Sequence, residues 1–131
     1  MLALDEIKRL ALKLQTTEAN IRREFVQHQF LRFFYQHPKS QEVFFKGGTA
    51  LRIIYKSPRF SEDLDFDSQL GLETLEKIVE FTLEQLEKDG IQCEILESKQ
   101  TSGGYLGIIN LDSLSTSVEI SNRRTSQGEI D

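Results

Sequence analysis

Apolar residues fall into two rhythms along the chain. Leu4, Ile7, Leu10, Ala11 and Leu14 recur three and four positions apart, which predicts a short amphipathic helix over 3–15. Thr16 and Thr17 can cap a second helix over 18–36, whose apolar face carries Ile21, Phe25 and Phe33, widened by Phe30, Leu31 and Phe34. His37-Pro38 closes it, because the residue before proline avoids the helical region. The clearest helical stripe is Leu72, Leu75, Ile78, Val79, Leu83 and Leu86, over 72–88, with Asp89-Gly90 as its stop. Between these helices the rhythm changes. Glu42 to Phe45 reads as a short strand, broken by Gly47-Gly48. Thr49 to Tyr55 reads as a helical turn or short helix, and Ser57-Pro58 as a loop. Leu64 to Asp67 alternates strictly as a strand should. Ile91 to Glu97, a Ser102-Gly103-Gly104 turn and Tyr105 to Leu111 form a hairpin, and Ser117 to Ile120 is a last strand.

This order predicts an α+β fold, a mixed sheet with helices packed mainly on one side, preceded by two N-terminal helices. The 131 residues suit one domain, with N-terminal helices in 1–38, a core in 42–124 and a polar tail in 125–131. Nine Phe and no Trp point to a core of phenylalanine and aliphatic side chains. Cys93 is the single cysteine, so no internal disulfide forms; it is expected half-buried in a strand. His28 and His37 have no partner at metal-ligand spacing and are expected at the surface or at a helix end. No stretch approaches the roughly 18 apolar residues of a membrane span, and the N-terminus lacks the apolar centre of a signal peptide, so a cytoplasmic protein without membrane contact is expected. The net charge of −5 argues against a general nucleic-acid coat. It leaves room for a nucleotide or an RNA end held at one place.

Candidate chemistry gathers in FFKGGTALRIIYKSPRFSEDLDFD, from Phe44 to Asp67. On a strand, Asp63 and Asp65 share one face while Leu64 and Phe66 turn to the other. Two carboxylates so close repel unless a proton or cation lies between them, and Mg²⁺ takes such oxygen ligands while leaving positions for phosphates. By itself this pattern is common on solvent-facing strands. Gly47 and Gly48 add backbone N–H groups that an anion can approach, Thr49 adds a hydroxyl, and Lys46 and Arg52 add positive charge. No Gly-Lys-Ser/Thr follows, so this is not a Walker A loop. Glu119, between Val118 and Ile120, faces away from its strand's apolar side; if the two strands are neighbours it completes a carboxylate triad. A pair of cations there would suit phosphoryl chemistry, one activating the attacking hydroxyl and one stabilising the leaving pyrophosphate.

FKGGTALRIIY followed by RFSEDLDFD, with REFVQHQFLRFF before and VEISNR after, resembles the AbiEii/AbiGii toxin family, a branch of the polymerase-β-type nucleotidyltransferases. The resemblance runs from about residue 18 to about residue 124. It implies a nucleotide bound at Lys46, Gly47, Gly48, Thr49, Arg59 and Ser61, and Mg²⁺ or Mn²⁺ held by Asp63, Asp65 and Glu119. The implied reaction moves a nucleotide from an NTP to an RNA, with tRNA as one candidate, or to a protein acceptor, within a toxin–antitoxin or phage-defence system and with a cognate antitoxin as partner. Family members are longer, and their C-terminal half carries a further Lys and Asp motif, so this chain reads as a fragment or a reduced member. A non-catalytic nucleotide- or partner-binding remnant and a minimal nucleotidyltransferase antitoxin are the alternatives; the latter usually has Gly-Ser where this chain has Gly-Gly-Thr.

Overall fold

In the structure, a computed structural model, residues 3–48 and 62–122 are described. The helix expected from Thr49 to Tyr55, the Ser57-Pro58 loop, the positions Thr49, Arg52, Arg59 and Ser61, and the tail from residue 123 lie outside them.

Helix α1 spans Leu4–Lys13 and α2 spans Glu18–Phe34. The Thr17 hydroxyl accepts from the Asn20 N–H at 3.1 Å, so the expected cap is present. Only Ile7 and Ala11 of the α1 stripe are buried, against Ile21, while Leu4 and Leu14 are exposed. Helix α2 ends at Phe34, short of proline. Pro38 opens a 3₁₀ turn, Pro38–Glu42, capped by the His37 ring, which accepts from the Lys39 N–H at 3.1 Å. His28 is exposed.

Five strands follow: β1 (Val43–Lys46), β2 (Asp63–Ser68), β3 (Cys93–Thr101), β4 (Gly104–Leu111) and β5 (Leu114–Asn122), with α3 (Leu72–Lys88) between β2 and β3. Their order in the sheet is β1-β2-β5-β4-β3. Every pairing is antiparallel except β2 with β5, which run parallel, so the sheet is mixed as expected. Helix α3 ends in a Schellman motif: Gly90, at φ +88°, donates to Glu87, and Ile91 donates to Leu86. Leu86 and Ile91 are both buried, which completes the apolar contact of that motif.

One core joins α2 and α3 to one face of the sheet. Phe34 lies at its centre, stacked on Phe30 at 5.6 Å and on Phe66 at 4.9 Å between ring centroids. Phe30 and Phe34 thus anchor α2, where the sequence made them the margin of its stripe. Cys93 is half-buried, as expected. Burial pushes its thiol up to about 11, with Glu87 and Asp112 adding to the shift, so it stays a neutral thiol at neutral pH.

Candidate active site

Strand β2 divides its side chains as alternation requires. Leu64, Phe66 and Ser68 are buried, while Asp63, Asp65 and Asp67 lie on the opposite face. Register then sets the neighbours. Asp65 stands opposite Lys46 of β1 on one side and opposite Glu119 of β5 on the other. The strand carrying Glu119 is therefore the neighbour that the sequence reading required. Val118 and Ile120 are buried and Glu119 is exposed. Lys46, Asp65, Glu119 and Leu106 form one row across four strands.

The glycine bend meets this row directly. Gly47 follows β1 at φ +87°, a conformation that L side chains rarely adopt. A Cβ on Gly47 would come within 2.5 Å of the Asp65 Oδ2 and 3.0 Å of the Asp65 Cβ. The backbone of the bend thus lies against the carboxylate, and only glycine leaves room for both. Gly48 is exposed beside it. Gly47→Ala is expected to cost about 1–2 kcal/mol through the backbone conformation alone, and more if Asp65 cannot move aside. Urea unfolding checks this, and an unchanged midpoint would contradict the fit described.

Burial pushes the Asp65 carboxyl above its ordinary value of 3.8, the Asp63 charge raises it further, and Lys46 opposes both. Glu119 is likewise raised above 4.5, first by desolvation, then by Asp65 and Asp63, again with Lys46 opposing. For an acid shifted this way the folded chain holds the proton more tightly than the unfolded one. Stability is therefore expected to fall as pH rises from these ordinary values through the raised ones, and to level off above them. The effect is small because the groups are largely solvated. Asp65→Asn should flatten the melting temperature against pH in metal-free buffer; an unchanged slope would show that Asp65 does not contribute.

Lys46 is not seated on Asp65, although the two are in register. Its Nζ lies 2.8 Å from Asp67 Oδ1. Alternation puts Asp67 on the acidic face, but no local pattern signals this pairing, because it depends on how β1 aligns with β2. Among the described residues no group of three or more His, Cys, Asp and Glu side chains is gathered closely enough to hold a metal ion. Asp63, Asp65 and Glu119 share one face, with Asp65 and Glu119 on the same rung.

The structure thus sets acids on one face of a mixed sheet, helices on the other and a glycine bend against Asp65. The family described as "Nucleotidyl transferase AbiEii toxin, Type IV TA system" matches residues 29–127, and the chain belongs to it. In solved structures the fold is similar to that of MenT4, a nucleotidyltransferase toxin from Mycobacterium tuberculosis H37Rv, with a TM-score of 0.66 and 21% identity over 94% of this chain and 44% of that one. It is also similar to JHP933 from Helicobacter pylori, with a TM-score of 0.52 and 24% identity over 82% of this chain and 45% of that one. The chain spans less than half the length of either. No curated protein matched in sequence. Among the described residues no helix is long and apolar enough to cross a membrane.

Proposed function

We propose that this chain carries the Mg²⁺-dependent nucleotidyltransferase domain of a toxin, with Mn²⁺ as a substitute ion. The observation that carries this reading is the contact of the Gly47 bend with the Asp65 carboxylate. It brings backbone that can approach phosphate beside a pair of like-charged carboxylates on one face of β2.

The donor set fits such an ion. Mg²⁺ is commonly held by one or two carboxylates together with substrate phosphates and water, not by a closed protein cage. Asp63 and Asp65 on one face suit that role, with Glu119 on the next strand close enough in register to take part in proton transfer or ion binding. When bound, the ion supplies charge neutralisation between carboxylate and phosphate oxygens. The chain's own residues hold and orient the nucleotide: Gly47 and Gly48 offer backbone to its phosphates, and Lys46, Thr49, Arg59 and Ser61 are assigned to the same phosphates. In the reaction an acceptor hydroxyl oxygen bonds to the α-phosphorus of an NTP. The bond to pyrophosphate breaks, and the hydroxyl proton passes to a carboxylate or to water. The acceptor is an RNA, tRNA being the first to test, or a protein, in the cytoplasm of a cell that also makes a cognate antitoxin.

Incubating the protein with labelled NTPs, Mg²⁺ and total tRNA tests this. Labelled RNA that disappears on chelation is the expected result. Tight Mg²⁺-dependent NTP binding without transfer to RNA or protein would contradict the catalytic part.

A further inference from the structure

The Lys46–Asp67 pair has a consequence for the neighbouring acids. Lys46 stands opposite Asp65, and an ammonium there could lie directly over that carboxylate. Its Nζ instead contacts Asp67 at 2.8 Å, with both side chains partly shielded, 34% and 23% exposed. Asp67 and Asp63 lie on the same face of β2, four residues apart, which is about 13 Å along a strand. An ammonium bound to Asp67 is therefore drawn to the end of the acidic row away from Asp63.

We infer that Asp67 is a positioning residue that acts through Lys46, drawing its ammonium towards the Asp67 end of the row so that a divalent cation meets less competition at Asp63 and Asp65. The inference rests on the reading of Asp63 and Asp65 as cation ligands. Without Asp67, Lys46 still faces Asp65, its cross-strand neighbour. The ammonium would then neutralise the acid that the ion needs, and protein and ion would compete for it. A divalent ion gains more than a monovalent ammonium from two carboxylates, so the competition weakens binding without abolishing it.

Mn²⁺ binding without nucleotide, followed by electron paramagnetic resonance of the free ion, tests this in four proteins. Wild type is expected to bind at one site. Asp67→Asn is expected to bind roughly 1.5- to fivefold more weakly, the range for a partly exposed ion pair. Lys46→Gln is expected to bind no more weakly than wild type. The double variant is expected to recover the wild-type affinity, because removing the displaced ammonium removes its competition. A merely structural role for Asp67 would not be rescued by removing Lys46, so an unrepaired double variant overturns the inference. Unchanged binding by Asp67→Asn overturns it as well, leaving the proposed function intact. Wild type without a saturable site overturns both. Circular dichroism spectra and melting curves of each variant separate lost binding from lost folding.

Discussion

Replacing Asp63 and Asp65 together with asparagine is expected to remove Mg²⁺-dependent nucleotide binding and transfer while leaving the fold intact. The substitutions keep size and shape but remove the two charges that would face the cation. Changes to groups that only support metal ligands cost about 10–100-fold, and loss of the ligands themselves should exceed that. At Asp65 the fold has little to lose. Both side chains lie on the face opposite Leu64 and Phe66, and Asp65 is held against burial and the Asp63 charge when ionised. In metal-free buffer at neutral pH the double variant should melt no earlier than the wild type. Activity lost together with a collapsed melting temperature would mean that these acids serve folding instead. Retained transfer would mean that the chemistry lies elsewhere.

The second large effect concerns stability. Phe34→Ala is expected to cost about 3–5 kcal/mol, the usual range for a buried aromatic truncated to alanine. Domains of this kind are stable by only about 5–15 kcal/mol, so much of the margin would go. Phe34 is fully buried, and its ring contacts Phe30, Phe66 and Tyr35. Phe66 lies between Asp65 and Asp67 on β2, so the cavity would open directly beneath the acidic face. Urea unfolding should show a lower midpoint with an unchanged slope. A loss below about 1 kcal/mol would contradict the central place given to this ring.

How much of this was legible in the sequence depended on which forces each segment answers to. Helix α3 could be read to its ends, since an uninterrupted apolar stripe and a glycine stop are both local signals. The alternation of β2 was equally plain. Strand β3 runs on to Thr101, beyond the expected Glu97, because it lies at the sheet edge and its exposed residues Ser98 to Gln100 carry no apolar side chain to follow. The turn from β4 to β5 escaped notice for another reason. Asp112 and Ser113 both have positive φ, a conformation more commonly signalled by Gly or Asn. Asp112 gains support from tertiary contacts, accepting the Gln92 N–H through its side chain and donating its own N–H to the Gln92 carbonyl.

The site divides in the same way. Asp63, Asp65 and Gly47 could be proposed from spacing and residue type. Their mutual placement required registers between strands far apart in the chain, and no local pattern encodes the parallel pairing of β2 with β5. The same registers set Glu119 beside Asp65 and brought Lys46 within reach of Asp67.

At 131 residues the chain suits solution NMR, and paramagnetic broadening by substoichiometric Mn²⁺ reports the location of a cation. Signals of Gly47, Asp63 to Asp65 and Glu119 should fade first and recover on addition of excess Mg²⁺. Broadening centred instead on Glu80, Glu84 and Glu87 of α3, or spread over the surface without saturation, would contradict a cation site at the glycine bend.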